Sequence, residues 1–320
     1  MTTPDRLLPG IHHITAICSD PQKNIDFYCG ILGLRLVKLT VNFDDPASYH
    51  LYYGDELGRP GSVLTFFAWP GAHRGRIGPP QVTVTAFAAR AAALAYWAAR
   101  LREKGIEVHP HPERFGEPVL GFDDPDGMHL EIVGATDPSH EPWRAGPIPA
   151  DHALRGFHSA TLSEEGYENT AHLLTDTMGF KLTASESNRY RYRAGGEDRF
   201  ASTIDLLCVP GGRHGGMGAG AVHHIAFRTP DDAQQAAWRQ ELVRSGLNVS
   251  PVMDRTYFHS IYYREPGGVL FEIATSNPGF TVDEPAGELG SKLRLPPWLE
   301  SDRPAIERAV PPIRLPTAGS

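Results

Sequence analysis

The feature that most constrains this sequence is an internal repeat. Four β-prone runs begin with a polar residue, at His13, Thr83, His158 and His224, and they recur at intervals of 66 to 75 residues. Alternation of polar and apolar residues in such runs is typical of β-strands. Because this interval is too long for one unit of a solenoid, the repeat predicts a small supersecondary module present four times.

Each of the four runs leads into a helical stretch that stops at a glycine. The glycines suit the left-handed conformation that closes a helix. The predicted helices cover residues 21–32, 88–104, 167–178 and 231–245, and the closing residues are Gly33, Gly105, Gly179 and Gly246. Short strands follow, and two modules end in similar hairpins, at 124–127 and 265–268. The order predicts an α+β protein built from four βαβββ modules.

Proline- and glycine-rich segments divide the chain. We predict an N-terminal domain at 1–137 that holds modules 1 and 2, and a linker at 138–150. A C-terminal domain at 151–277 would hold modules 3 and 4, followed by a proline-rich tail at 278–320.

The composition excludes several classes of function. The chain has 320 residues, a net charge of −8 and no run of Lys or Arg, so we expect no nucleic acid partner. Its three cysteines form no C-x-x-C pair, which argues against a disulfide framework and a zinc–thiolate site. The sequence also shows no signal-peptide layout and no uninterrupted apolar span, so we expect a cytoplasmic protein without membrane attachment.

Two histidine doublets, His12-His13 and His223-His224, open the first and fourth modules. Neighbouring side chains of a strand point to opposite faces, so one histidine of each doublet would face a cavity. The repeat alignment selects His13 and His224, and it places Glu272, in an otherwise apolar strand, at the matching position. A buried carboxylate is costly unless it is paired or bound to a metal. Two histidines and one carboxylate are the facial triad of non-heme Fe(II) oxygenases.

These motifs resemble the vicinal oxygen chelate superfamily, and within it the extradiol ring-cleaving branch that includes the hydroquinone and chlorohydroquinone dioxygenases. The resemblance covers nearly the whole chain. It rests on the segments 11–15, 49–53, 55–58, 155–159, 223–224 and 266–272. It implies two cup-shaped domains with mixed sheets, one cup drawing on modules 1 and 4. It also implies Fe(II), with Mn(II) as the alternative, and a small aromatic diol and O₂ as substrates. We expect a homo-oligomer.

The resemblance assigns roles to six residues. The implied metal ligands are His13, His224 and Glu272. The residues implied to act on the substrate are His12, Tyr262 and Arg255. In this scheme His12 or Tyr262 moves the phenolic proton, and Arg255 stabilises an anionic oxygen.

Other polar and aromatic residues receive weaker assignments. A second cup from modules 2 and 3 would offer Glu131, His158 and Asp205, but Thr83 stands where a histidine would be needed, so we interpret this cup as structural. His259 is a further acid–base candidate or else a polar wall residue. We expect Asp44 and Asp45 to form a solvated turn. The aromatic residues assigned to packing near the cup are Phe67, Trp69, Tyr257 and Phe258.

Two alternative functions share this fold. A glyoxalase-type lyase or isomerase needs a fourth protein ligand from the last strand of the partner module, and the strand at 62–67 offers none. A metal-free binding protein of the antibiotic-sequestering kind would lack the triad.

Overall fold

The computed structural model describes residues 8–135, 141–195 and 200–316, with the backbone alone for residues 110–112. The predicted boundary at 137/138, the first residues of the predicted linker and the last four residues of the tail lie outside this part of the chain. So do the N-terminal residues on which the absence of a signal peptide was judged.

Sixteen strands in the described residues form two eight-stranded mixed sheets. In chain order the strands of module 1 are β1 (Ile11–Cys18), β2 (Arg35–Asn42), β3 (Asp45–Gly54) and β4 (Val63–Ala68). Those of module 2 are β5 (Gln81–Arg90), β6 (Val108–Arg114), β7 (Glu117–Asp123) and β8 (His129–Ala135). Those of module 3 are β9 (Phe157–Glu164), β10 (Lys181–Glu186), β11 (Arg189–Arg193) and β12 (Thr203–Cys208). Those of module 4 are β13 (Val222–Thr229), β14 (Met253–Asp254), β15 (Phe258–Arg264) and β16 (Leu270–Pro278).

The sheet order shows how the modules pair. One sheet runs β14-β15-β16-β13-β1-β4-β3-β2 and joins modules 4 and 1, while the other runs β10-β11-β12-β9-β5-β8-β7-β6 and joins modules 3 and 2. The first strands of paired modules run antiparallel, β1 to β13 and β5 to β9. The α+β fold of four modules in two sheets is therefore confirmed. Each sheet combines one module from each half of the chain. The sheet that joins modules 4 and 1 forms the predicted cup of these two modules.

The helices are short and cover the outer faces of the sheets. Their bounds are α1 (Pro21–Ile25), α2 (Leu94–Glu103), α3 (Glu168–His172), α4 (Asp232–Arg244) and α5 (Arg303–Ala309). The π-helical turns Asp26–Ile31 and Leu173–Thr177 extend α1 and α3. The second helix begins later than predicted, because β5 continues to Arg90. All four predicted glycines that close the helices have positive φ, between 70° and 85°. In the described part of the chain, no helix combines the length and hydrophobicity needed to cross a bilayer.

The register corrects two elements of the repeat alignment. The carbonyl of Gly10 accepts from Arg228 N, and that of Gly156 accepts from Ala88 N. Gly10 and Gly156 are therefore equivalent, which aligns His158 with His12 rather than with His13. The residue equivalent to His13 is Ser159. The same pairs make Ala88 equivalent to Arg228, so the residue equivalent to His224 is Val84 and not, as predicted, Thr83. A one-residue slip moves a side chain to the other face of the sheet, so this difference matters for the second cup.

The segment that follows β16 packs against the cup of modules 1 and 4. Phe280 and Leu289 belong to an apolar cluster with Tyr52 and Tyr257. Farther on, Arg294 N donates to the carbonyl of Leu39 on β2. The predicted proline-rich tail is thus packed against the first sheet through much of its described length.

Candidate metal centre

Three side chains meet on the inner face of the sheet of modules 1 and 4. His13 Nε2 lies 3.3 Å from His224 Nε2 and 3.3 Å from Glu272 Oε2, and His224 Nε2 lies 2.9 Å from the same oxygen. All three residues are buried. Atoms about 2.1 Å from one common ion would be separated from each other by about 3.0–3.4 Å. The sequence-predicted ligands therefore form a triangle of the size that one divalent ion requires.

The hydrogen bonds around His13 indicate that this triangle needs a cation. His12 Nε2 donates to the carbonyl of Thr275 at 3.1 Å, because a carbonyl can only accept. In neutral His12 the other nitrogen, Nδ1, then accepts from His13 Nδ1 at 2.9 Å. As a metal ligand, His13 would present the lone pair of its Nε2, which lies 3.3 Å from Glu272 Oε2. That oxygen accepts no hydrogen bond from the described residues. Converging lone pairs on buried atoms are costly unless a positive ion lies between them.

The electrostatics of the site agree with a charged carboxylate at Glu272. Burial alone would raise the pKa of Glu272, but His13 and His224 outweigh it and hold that pKa well below its ordinary value. Ser260 Oγ also donates to Glu272 Oε1 at 2.5 Å. Burial lowers the pKa of His224. The site therefore offers one charged oxygen and two nitrogen donors, a set that suits Fe(II), Mn(II) or Zn(II) more than Ca²⁺.

Each histidine of the triangle is held by the histidine that precedes it. The Nδ1 atoms of His223 and His224 lie 2.8 Å apart, as those of His12 and His13 do at 2.9 Å. Burial lowers the pKa of His12 and of His223 to about 3. Partners of this kind fix the tautomer and the ring orientation of a metal-binding imidazole. The sequence analysis missed His223 as a site residue, although the duplicated doublet carried the signal.

Arg255 and Tyr262 form one wall of the site. Arg255 Nε donates to the hydroxyl of Tyr262 at 3.2 Å, and its guanidinium lies 5.4 Å from the centre of that ring. The Tyr262 ring packs edge-on against His224 at 5.7 Å. Burial raises the pKa of Tyr262, so this phenol stays protonated near neutral pH. Because Arg255 donates to its oxygen, Tyr262 can direct its own proton elsewhere.

Asp44 holds the outer end of Arg255. Its Oδ2 accepts from Arg255 Nη1 at 3.2 Å, although the Asp44 side chain is 66% exposed. This contact joins the β2–β3 turn of module 1 to the loop before β15 in module 4. Asp44 is therefore exposed in a turn, as predicted, whereas Asp45 is the first residue of β3. The turn also connects the two modules.

The opposite wall was not predicted. Thr15 and Thr65 contact each other through their hydroxyls at 2.8 Å, and Thr65 contacts His50 Nε2 at 2.8 Å. Tyr52 then contacts His50 Nδ1 at 2.9 Å. Burial lowers the pKa of His50 well below its ordinary value. The signal was the spacing His50-x-Tyr52 in a strand, which puts both side chains on one face.

The side chains on two sides of the site differ in exposure. Phe67 lies 4.4 Å from His50 and 5.5 Å from His223, and its ring stacks on Trp69 at 6.4 Å. These four residues are partly exposed. By contrast, Phe258, whose ring lies 5.0 Å from that of His13, is only 4% exposed. A flat ring would therefore enter past Phe67 and meet its end wall on the side of Phe258.

His259 does not join the site. Its Nδ1 lies 2.6 Å from Asp232 Oδ1 at the start of α4, on the outer side of the sheet. Its neighbours Ser260 and Tyr262 point inward, as the alternation along β15 requires. The expectation that His259 serves as an acid–base group or as a wall of the cup is therefore wrong.

The second cup contains ion pairs where the first has the triangle. Arg114 donates to both oxygens of Glu131, at 2.6 and 2.7 Å. Arg191 donates to both oxygens of Asp205, at 2.8 and 3.0 Å. His158 Nε2 lies 3.1 Å from Glu117 Oε1. The carboxylates that could bind a metal are already paired with arginines, which supports the structural interpretation of this cup. In the described residues the triangle is the one group of three such side chains close enough to share an ion.

Comparison with known proteins supports this description of the fold. The sequence profile of the Glyoxalase/Bleomycin resistance protein/Dioxygenase superfamily matches residues 10–132 and 156–273. The chain belongs to this superfamily. The resemblance inferred from the motifs is thus confirmed at the level of the superfamily, and the two matched segments contain all six predicted site residues.

Several members of the glyoxalase/dioxygenase superfamily match this chain over nearly its whole length. A protein of Bacillus subtilis named as a ring-cleaving dioxygenase, MhqO, is 49% identical over 306 residues, which is 96% of this chain and 97% of the relative. A protein of Sphingobium indicum named chlorohydroquinone/hydroquinone 1,2-dioxygenase is 36% identical over 319 residues, which is 97% of this chain and 98% of the relative.

Solved structures of the same superfamily agree with the fold. The crystal structure of a Bacillus subtilis protein described as a dioxygenase has a TM-score of 0.93 at 46% identity, and covers 97% of this chain and 99% of that one. Glyoxalase I from Zea mays has a TM-score of 0.62 at 16% identity, and the match covers 83% of this chain and 92% of that one. At this identity the similarity shows a shared fold alone.

Proposed function

We propose that this superfamily member is a ring-cleaving dioxygenase of the extradiol type, which uses Fe(II) and O₂ to open small aromatic diols. The observation that carries the proposal is the buried triangle of His13, His224 and Glu272. Three protein ligands on one side of an ion leave adjacent positions free for a substrate oxygen and for O₂. The names of the two relatives described above point to the same reaction class.

The metal would supply the electron transfer between the aromatic ring and O₂, and the protein would supply position and protons. His13, His224 and Glu272 would hold the ion. Ser260, which donates to Glu272 Oε1 at 2.5 Å, would leave Oε2 directed at the ion. Burial of the triangle keeps bulk water from competing for the open positions.

Tyr262 and Arg255 would act on the substrate oxygen. Tyr262 stays protonated, because burial raises its pKa, and it can donate its proton to an anionic oxygen. Arg255 would stabilise negative charge that develops on that oxygen, since a preorganised cation in a dry site is worth more than one in water. Its bond to the Tyr262 hydroxyl, at 3.2 Å, makes the two residues one unit.

For His12 the geometry favours an orienting role over the proton transfer suggested by the resemblance. Both of its ring nitrogens already have partners, the carbonyl of Thr275 and Nδ1 of His13. A group that moves a substrate proton must reach that proton directly or through one water. We therefore assign proton transfer to Tyr262 and assign the orientation of His13 to His12.

A lyase of the glyoxalase type is a poorer fit to the first cup. Thr65 lies on β4, the strand that would have to supply the fourth ligand. Its hydroxyl contacts Thr15 and His50, each at 2.8 Å. Carboxylate and amide ligands are absent from this strand, which reads VLTFFA.

The deciding experiment is oxygen uptake by anaerobically reconstituted protein. The Fe(II)-loaded, Mn(II)-loaded and Zn(II)-loaded forms would each be tested with hydroquinones and catechols. We expect uptake of one O₂ per ring with Fe(II) and no uptake with Zn(II). Metal binding without oxygen uptake on any diol would contradict the proposal.

Three finer expectations stay predictions. They are a homo-oligomer in solution, which light scattering would test, a cytoplasmic location, which cell fractionation would test, and Fe(II) rather than Mn(II) as the native metal. Metal analysis of protein purified without oxygen would decide the last of these.

A further inference from the structure

The C-terminal segment reaches into the cup that holds the metal triangle. The Phe280 ring lies 5.3 Å from that of Tyr52 and 5.2 Å from that of Tyr257, and Phe280 is only 4% exposed. It also packs against Gly58, where a Cβ atom would lie 2.6 Å from the ring. Gly58 has a φ of +68°, so both its backbone and the close approach exclude larger residues.

A buried set of charges holds this segment in place. Lys38, on β2, has a fully buried side chain, and its Nζ donates to Asp283 Oδ1 at 2.6 Å and to Glu284. Glu284 in turn pairs with Arg294 at 3.2 Å. The same ammonium lies 4.8 Å from the centre of the Tyr257 ring. A buried lysine is tolerated only with its partners in place, so this contact keeps the segment from detaching easily.

The segment also connects to the metal site through ordered side chains. Tyr52, against which Phe280 packs, contacts His50 Nδ1 at 2.9 Å through its hydroxyl. Tyr257 donates to Asp283 Oδ2 at 3.1 Å. Phe258, the next residue along the chain, has its ring 5.0 Å from that of His13. Phe280 therefore lies one side chain, that of Tyr52, behind His50 on the wall of the site.

We propose that Phe280 is a specificity-positioning residue, which acts through Tyr52 to limit the size of ring substituents that point toward the wall formed by His50 and Tyr52. This inference rests on the proposed dioxygenase function and adds a limit on the size of the substrate's ring substituents. Single-ring diols with small substituents on that side fit the intact wall. A bulky branched substituent would have to point to the more exposed side, past Phe67 and Trp69. Where it cannot, the ring is held out of reach of the metal.

The test compares hydroquinone with tert-butylhydroquinone in the Phe280→Ala variant of the full-length, Fe(II)-loaded protein. Removing the ring lets Tyr52 retreat and opens space behind it. We expect the ratio of kcat/KM for the bulky diol to that for hydroquinone to rise about tenfold or more, a usual size for pocket-shape effects. The increase should come from a lower KM for the bulky diol, since Phe280 lies behind the wall and not at the metal.

Two further variants distinguish a change in the shape of the wall from a general loss of stability. Phe280→Leu keeps most of the packing, so its ratio should lie between the wild-type and Phe280→Ala values. Trp298→Ala removes an exposed aromatic residue of the same C-terminal region, which contacts Phe43 at 5.6 Å outside the cup. It should leave the ratio unchanged. An unchanged ratio in a folded Phe280→Leu protein would overturn the proposal, even if Phe280→Ala does not fold.

A binding measurement keeps this inference distinct from the proposed function. The Kd of each diol would be measured on metal-free protein by the shift of its unfolding temperature with ligand concentration. The wild type should bind hydroquinone more tightly relative to the bulky diol than Phe280→Leu does. If no form of the protein consumes oxygen, the dioxygenase proposal fails, while this ratio of Kd values still decides the role of Phe280.

Discussion

The Nδ1 atoms of His12 and His13 lie 2.9 Å apart, so one side chain of the doublet faces the metal triangle and the other holds it there. Module 4 repeats the arrangement with His223 and His224 at 2.8 Å. Each module thus contributes one nitrogen donor and its own orienting partner. His12 and His223 are the residues that the β1–β13 ladder skips at its two irregularities. Each doublet therefore lies at a bulge, where the backbone re-aims a side chain and adjacent histidines can serve the same site.

Substitutions of the predicted ligands and of the surrounding residues should differ in their effects on metal content. Glu272→Ala should lose bound metal and activity together, because the carboxylate is the charged member of the triangle. Tyr262→Phe should keep the metal and slow turnover by about 10²–10⁴-fold, the usual contribution of a proton-transfer group. Metal content and steady-state rates of both variants check this. Equal loss of metal in both would show that the roles are assigned wrongly.

Replacing His12 should weaken metal binding without removing a ligand. His12→Phe removes the acceptor for His13 Nδ1, and losses of such partners cost about 10–100-fold in metal affinity. His12→Gln, which offers a carbonyl oxygen as acceptor, should recover part of the loss. Competition with a metal chelator gives the Kd values. His259→Phe is the matched control, since His259 contacts Asp232 outside the cup. If it loses as much affinity as His12→Phe, the orienting role is refuted.

Arg255 should matter more for para-diols than for catechols. A catechol can bind the metal through two neighbouring oxygens, whereas a hydroquinone offers one and depends on protein groups for its orientation. Misplacement of about 1 Å can cost about 10²-fold in rate. We expect wild-type protein to prefer substituted hydroquinones, and Arg255→Ala to lose more kcat/KM on these than on catechol. Arg264→Ala, an exposed arginine of β15, is the control. Equal losses on both classes would remove the reason for choosing hydroquinones.

The buried lysine of the C-terminal contact should be costly to remove. Lys38→Met leaves the carboxylates of Asp283 and Glu284 without their main partner. Breaking a buried pair in this way costs about 3–5 kcal/mol in the free energy of unfolding. Lys292→Met, which breaks an exposed pair with Glu288 at 3.4 Å, should cost less than about 1 kcal/mol. Urea denaturation of both variants provides the measurement, and similar small losses would contradict a structural role for Lys38.

A pair of buried glutamates predicts how stability depends on pH. The hydroxyl of Thr170 lies 2.6 Å from Glu164 Oε2 and 2.6 Å from Glu265 Oε2. It has one hydrogen to donate, so the second short contact requires a proton on a carboxyl group. Burial, together with Glu265, raises the pKa of Glu164 from 4.5 to about 8. The folded protein therefore keeps a proton that the unfolded chain releases above its own lower pKa.

It follows that the free energy of unfolding should fall as pH rises from about 4.5 to 8, by up to about 1.4 kcal/mol per pH unit from this group. The contribution is complete at low pH and lost above the folded pKa. Glu164→Gln, whose amide can donate to Thr170 at any pH, should flatten the slope. Glu165→Gln, at a half-exposed neighbouring position, should not. Unfolding curves across this range decide it, and an unchanged slope in Glu164→Gln would refute the shared proton.

The sequence determined the repeat, the four helix-closing glycines, the superfamily and the identity of the three side chains that converge in the cup. These follow from local patterns: alternation in strands, glycine at positive φ and a carboxylate in an apolar strand. The same patterns could not fix the register of His158, because a shift of one residue changes the face of a strand without changing its composition. Nor could they show that His12 is held by the carbonyl of Thr275, 263 residues away.

Only the tertiary structure decided which contacts complete the site. His50 and Thr65 meet because β3 and β4 pair in one register, and Arg255 reaches Asp44 because modules 1 and 4 share a sheet. The C-terminal segment gave no sequence signal of its place in the cup, since Lys38 and Asp283 are 245 residues apart and pair only after the sheet is closed. Long-range hydrogen bonds and buried ion pairs depend on distances that folding creates, which is why the walls of the site, unlike its predicted metal ligands, could not be read from local sequence.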